Sequence, residues 1–444
     1  VGRAGAVGER FTFALRYRWT PGAEGLAFAA GGWFQTHLSG FWLPTMADQR
    51  FHAQVRARFP GPVCVTGERM PDEEGWAVFR TRAPVPVLCL LAGPFRILEE
   101  ERDGRRLEIW APPEQGLVTE PVAALEDLAR VLALLEDWFG PGAPETFRLI
   151  VEPRTRAVPS YCAGDFVVVH RAFLPDAAPR DRWLSLLAHE CAHVWWGHRV
   201  AMPVVGRGGT WLREGLAQWA GNAAVGALMT ERDGRALFLG EVERYLGTLD
   251  LRRDREGMLF ANEVTLLDAT YLDPPLVPYL RGGLHYRLWE RRLGPREFRT
   301  RLKALADDRA GGGIDGAGFA RRFDGVEFAG YYAATTRLPD LRVVAGETVP
   351  GGVRVEVACD DPLWPGGAVP VRVRTAAGDR WTTVEMRDGR GVVRWQGEAA
   401  VDEVELDPDR IMLDPIGSNN RWVRSPTGSN PASSGAPRRS GSGG

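Results

Sequence analysis

One segment constrains this chain more than any other: Leu186-Leu187-Ala188-His189-Glu190-Cys191-Ala192-His193-Val194-Trp195-Trp196-Gly197. Trp183, Leu186, Leu187, Cys191 and Val194 recur around it at helical spacing, which predicts a helix that is apolar nearly all round and therefore buried. Two histidines and a glutamate inside such a helix need partners, because a buried polar group left unsatisfied costs about 1–3 kcal/mol. Side chains four apart share one helix face, a turn from each other. His189 and His193 can therefore offer two imidazoles to one ion, and Glu190 can reach the solvent side of that ion. H-E-x-x-H by itself is short enough to arise by chance on the wet face of an amphipathic helix. The apolar surroundings weigh against that reading.

A catalytic zinc typically takes three protein ligands and keeps one position open. One class of zinc peptidases places a third His six residues past the second, with a Gly at the third. Here those places hold Arg199 and Trp196, so that arrangement is excluded. His198 points elsewhere around the helix and reads as a polar surface residue or a support to the ligands. The better candidate is Glu214, in Thr210-Trp211-Leu212-Arg213-Glu214-Gly215-Leu216-Ala217-Gln218-Trp219. Trp211, Leu212, Leu216 and Trp219 form the apolar side of a second helix there. A lone Glu beside such a side ordinarily faces solvent; only the preceding motif makes it a ligand.

The rest of the chain predicts a multidomain α+β protein, and its 444 residues leave room for about two to four domains. Short alternating runs at 50–59, 76–80 and 107–110 predict an N-terminal antiparallel β domain over residues 1–115. From 116 to 337 helical periods dominate, beginning with a run from Val122 to Leu135 that Gly140-Pro141-Gly142 stops. Renewed alternation over 338–424 predicts a small β-sandwich. Residues 425–444 are almost all Ser, Gly, Pro, Asn and Arg and predict a disordered tail. A formal net charge of −2 argues against a dedicated nucleic-acid or membrane-surface binder. No apolar run approaches the roughly 20 residues that span a bilayer. The given sequence shows no signal-like segment, so the expectation is a soluble protein, with a cytoplasmic location slightly favoured over a secreted one. The five cysteines are scattered without a C-x-x-C pair and read as small buried hydrophobes.

The combined pattern, H-E-x-x-H-x-W-x-G and then W-L-x-E-G-x-A on a following helix, resembles the gluzincin aminopeptidases typified by membrane alanyl aminopeptidase and leukotriene hydrolase. Val277-Pro278-Tyr279-Leu280-Arg281-Gly282-Gly283 is similar to the family's V-P-Y-E-K-G segment, and Leu293-Gly294-Pro295-Arg296-Glu297-Phe298 to its L-G-x-x-x-F. Gly32-Trp33-Phe34 and Phe41-Trp42-Leu43-Pro44 resemble parts of its N-terminal β domain. The resemblance covers most of residues 30–335. It implies a thermolysin-like catalytic domain with one Zn2+ per chain on His189, His193 and Glu214. It also implies Glu190 as general base on the metal-bound water, Tyr279 as donor to the transition state, and a peptide substrate cleaved at its N-terminus. A phenol with pKa near 10 stays protonated at neutral pH and can donate. Tyr271 and Tyr286 are local rivals for that role.

Two departures stand out. Twenty residues separate His193 from Glu214 where the family usually has 18, which a longer loop at 206–209 accommodates. The family's G-x-M-E-N segment, whose Glu holds the substrate's free amine, has no counterpart. Ser160-Tyr161-Cys162-Ala163-Gly164-Asp165-Phe166 stands in its place. Asp165 is a candidate substitute, with a turn or strand-capping role as the alternative. Gln35, nine residues before Pro44, matches the Gln or Glu that the family uses in its β domain. The missing Glu keeps open a zinc hydrolase of other specificity, either an endopeptidase or an enzyme acting on a modified substrate. An interaction module with incidental catalysis is a third reading, which the intact His189, Glu190, His193, Glu214 and Tyr279 oppose.

Overall fold

The computed structural model describes residues 28–30, 33–36, 50–113, 121–152, 160–202, 209–253, 259–261, 264–266, 276–323, 331 and 333–424. Its N-terminal part is built from short strands: β1 (Phe28–Ala30), β2 (Trp33–Gln35), β3 (Gln54–Ala57), β4 (Val63–Val65), β5 (Glu68–Glu73), β6 (Trp76–Arg80) and β7 (Leu90–Ala92). They form two antiparallel sheets, in the orders β1-β2-β7-β4 and β3-β6-β5. Val63, Val65, Ala77, Phe79 and Ala92 fill the space between them.

A mixed sheet of order β11-β12-β10-β9-β8 comes next, from β8 (Arg96–Arg102), β9 (Arg105–Ala111), β10 (Thr146–Val151), β11 (Tyr161–Cys162) and β12 (Phe166–Val169). β9 and β10 are parallel, and parallel neighbours need a crossover of a dozen or more residues. Helix α1 (Pro121–Phe139) is that crossover, laying its Leu125, Leu128, Val131, Leu132 and Leu135 stripe into the core. The boundary expected at residue 115 thus falls between a strand and its own crossover helix, and residues 96–111 belong with the sheet that follows. The β8–β9 hairpin alternates at its start like the strands before it. Alternation reports one covered face and says nothing about which sheet a strand joins.

Helices α2 (Arg180–Ala192), α3 (Gly209–Leu228), α4 (Glu231–Gly247), α5 (Gly282–Leu293), α6 (Pro295–Asp308) and α7 (Gly316–Phe323) follow, as the helical texture predicted; α2 touches β11 and α1, and the others pack mainly on neighbouring helices. A short hairpin, 251–253 with 259–261, interrupts them. Trp183, Trp195, Trp196, Trp211, Trp219 and Trp289 are fully buried among them. No described helix is long and apolar enough to cross a membrane, and all five cysteines are buried as free thiols. Seven strands between Leu341 and Val423 make a three-stranded and a four-stranded sheet, within the stretch where alternation predicted β structure. The tail expected to be disordered, 425–444, lies outside the described residues, as do 37–49, which include Pro44.

Two glycines decide how closely α3 and α5 cross. A Cβ on Gly215 would lie 2.7 Å from the Gly282 carbonyl carbon, nearer than a methyl group can sit. Gly215 follows Glu214 directly and Gly282 comes three residues after Tyr279, so this contact sets the spacing between those two side chains. Gly215→Ala gains helix propensity but overpacks a backbone–backbone contact. We expect it to destabilise the protein by about 1–3 kcal/mol, read by thermal unfolding. Undiminished stability would show that α3 and α5 can separate freely.

Candidate metal centre

Helix α2 ends at Ala192, and His193 caps it with helical φ −63° and ψ −18°. The four-residue offset therefore holds through the last turn. The His189 and His193 rings stand 5.1 Å apart, centroid to centroid, at 82°. Beyond the cap the chain doubles back through Gly197, whose φ of +124° suits glycine. This return brings the Trp196 carbonyl to 3.2 Å from His193 Nδ1. A carbonyl only accepts, so Nδ1 carries the proton and Nε2 keeps its lone pair for an ion.

Helix α3 delivers the carboxylate. Glu214 Oε2 lies 3.5 Å from His189 Nε2 and 3.2 Å from His193 Nε2. Its other oxygen accepts from Arg213 Nε and Nη2 at 3.0 and 2.7 Å, so one oxygen is anchored and the other left for the imidazoles. Burial pushes the Glu214 carboxyl up, but His193 and Arg213 outweigh it and hold the group well below the usual carboxylate range. Among the described residues, only His189, His193 and Glu214 bring three potential ligand atoms within 4.8 Å of one another. Two imidazole nitrogens and one carboxylate oxygen, all buried, are a donor set that zinc accepts.

Glu190 is 5% exposed beside this triad and is no part of it. Burial raises its carboxyl above the ordinary range, against the pull of His189 and His193. Tyr279 arrives on a π-helical turn, Leu276–Arg281, a form that often marks functional positions. Its ring stacks on His189 at 5.8 Å and 8°, and its hydroxyl bonds to Glu214. Burial and the Glu214 charge raise the phenol, so it stays a donor. Of its rivals, Tyr286 donates instead to the Leu212 carbonyl at 2.9 Å, and Tyr271 lies outside the described residues.

The two substrate-binding candidates have different partners. Asp165 accepts from Arg148 Nη1 at 3.1 Å and from the Gly67 amide at 3.2 Å. Burial nevertheless pushes its carboxyl up to about 6. Gln35 is fully buried at the end of β2, and its Nε2 donates to Glu152 at 2.9 Å and to the Tyr161 hydroxyl at 3.3 Å. His198 donates from Nε2 to the Cys162 carbonyl at 3.3 Å, tying the turn after the motif to β11. Sequence reasoning missed Arg213, Glu152 and Glu241. Glu241, on α4, accepts from Gln218 Nε2 at 2.5 Å and lies close enough to His189 to raise it. Nothing in the local pattern marked it. Arg213 was legible only as the residue before the ligand.

Residues 165–323 match the peptidase family M1 domain. Aminopeptidase M1-B of Oryza sativa subsp. japonica is 26% identical over 234 residues, which cover 50% of this chain and 25% of that protein. Aminopeptidase M1 of Arabidopsis thaliana is 25% identical over 236 residues, covering 50% of this chain and 26% of its own length. Among solved structures, Legionella pneumophila aminopeptidase A in complex with aspartic acid superposes with a TM-score of 0.64 at 16% identity, covering 86% of this chain and 47% of that one. Native yeast LTA4 hydrolase superposes at 0.51 and 16% identity, covering 64% and 46%. At these identities the structural likeness is one of fold. The chain spans about a quarter of the length of the plant proteins it matches and under half of each solved chain.

Proposed function

We propose that this chain, which belongs to the gluzincin aminopeptidase family through its peptidase family M1 domain, is a zinc-dependent aminopeptidase that hydrolyses N-terminal peptide bonds. The observation that carries the reading is the convergence of His189, His193 and Glu214, from two helices, beside a buried Glu190 and a stacked Tyr279. Zinc held by these three residues would supply Lewis acidity, polarising the scissile carbonyl and acidifying a water from a pKa of 15.7 towards about 7.

The remaining roles belong to side chains. Glu190 accepts the proton of the attacking water on its carboxylate and returns it to the departing amine. Tyr279 donates its hydroxyl proton towards the carbonyl oxygen as charge builds there. The Trp196 carbonyl and Arg213 hold His193 and Glu214 in their donor orientations, so the ligands need no reorganisation.

The experiment is a metal analysis joined to a pair of peptides. Protein purified with zinc present should hold close to one ion per chain and release the first residue of a free peptide but not of its N-acetylated form. Below about 0.2 zinc per chain, the interaction-module reading would replace this one. Equal cleavage of the acetylated peptide would favour the zinc hydrolase of other specificity, which the departure at residues 160–166 supports.

A further inference from the structure

We propose that the loop 407–414 is a brace for Tyr279, with Ile411 and Leu413 as positioning residues acting through helix α5, an inference that rests on the aminopeptidase reading and on Tyr279 as its donor.

The loop follows the strand Val401–Leu406 of the four-stranded C-terminal sheet, and its own hydrogen bonds fix its shape. The Asp407 carboxylate accepts from the Ile411 amide at 3.0 Å and from the Met412 amide at 2.9 Å. Asp414 closes the other end, accepting from the amides of Leu341 and Ile416 at 2.9 and 2.8 Å. Between these anchors Asp407, Arg410 and Leu413 have φ of +43°, +51° and +60°. Residues with a Cβ rarely enter that region, because the Cβ crowds the following carbonyl. Strain of this kind persists only where surrounding contacts over-determine it, and it gathers where a structure needs one fixed shape. What this loop presents in its fixed shape is a pair of buried apolar side chains, Ile411 and Leu413.

Those side chains close against Arg281, Leu284 and Leu288, in a seam with no room for a water. The three recur at three- and four-residue steps and share one side of the helix. Another side faces α3, where Gly282 meets Gly215 and Tyr286 donates to the Leu212 carbonyl. Helix α5 is thus held between α3 and the loop. Asp409 adds an ionic clamp, accepting from Arg235 of α4 at 2.7 Å and from Arg291 of α5 at 2.8 Å. At its start α5 runs without a break into the π-helical turn, since Arg281 joins them with helical φ −62° and ψ −39°. Tyr279 stands two residues before that junction. A shift of α5 is therefore a shift of the Tyr279 hydroxyl. The metal ligands come from α2 and α3 instead, so the brace bears on the donor and not on the ion.

The test is a double-mutant cycle on the zinc-loaded full chain, assayed with an N-terminally free peptide. Ile411→Ala should lower kcat about 10-fold, since misplacing a catalytic group by a fraction of an ångström costs turnover. KM and zinc per chain should stay within about 2-fold of the wild type, because substrate binding and the ligands are untouched. In a Tyr279→Phe background the same change should cost less than about 2-fold, as no hydroxyl is left to misplace. Ile411→Met, similar in volume, should keep kcat within about 2-fold. If Ile411→Ala does not fold, Ile411→Val decides, with a loss of about 3-fold that the Tyr279→Phe background again abolishes. Equal losses with and without the hydroxyl would make the loop a general support and overturn the brace. So would an unchanged kcat in the variant that folds. If Tyr279→Phe alone leaves kcat whole, the donor role itself fails, and that result is visible before any loop variant is made.

Discussion

Glu190→Gln lowers kcat by about 10²- to 10⁴-fold, the usual contribution of a positioned general base, while zinc per chain does not change. The expectation rests on geometry. Glu190 adjoins His189 in sequence but stands outside the triad of ligand atoms, so its loss should spare the metal. Glutamine is close in size, keeps the packing at a site only 5% exposed, and cannot accept a proton at neutral pH. Paired turnover and metal analyses on one preparation separate the two effects. Wild-type turnover in the variant would remove Glu190 from the reaction. Loss of zinc together with activity would instead make it a structural support of the site.

Tyr279→Phe is expected to lower kcat by about 100- to 1,000-fold with little change in KM, as when one donor to a developing oxyanion is removed. Phenylalanine keeps the ring, so the parallel stack on His189 at 5.8 Å survives and only the hydroxyl is lost. The variant thus isolates the donor from the packing. That hydroxyl also bonds to Glu214, so zinc content must be measured alongside. Undiminished kcat at full zinc occupancy would return Tyr279 to a packing role. A rise in KM alone would mean that it binds substrate and transition state equally.

Legibility of the site depended on how far apart its parts lie in the chain. His189, Glu190 and His193 could be read directly, because helical geometry converts a four-residue spacing into a shared face. Glu214 needed two motifs taken together, and Tyr279 needed a resemblance, since neither sits within one helical repeat of the histidines. The N-terminal boundary near 115 was misplaced because β9, α1 and β10 form one parallel unit, and parallel pairing leaves no mark on the alternation of any single strand.

Sequence by itself determined the buried helix, the pair of imidazoles on one face of it, and the second helix that carries a carboxylate. These follow from interactions between residues three or four apart, which backbone geometry enforces wherever the chain is placed. Tertiary structure alone decided which oxygen of Glu214 faces the imidazoles, that the Trp196 carbonyl sets the His193 tautomer, and that Gln35 meets Glu152. Those outcomes depend on close crossings such as Gly215 against Gly282. Steric contact between distant segments is a property of the packed core, and no local period encodes it.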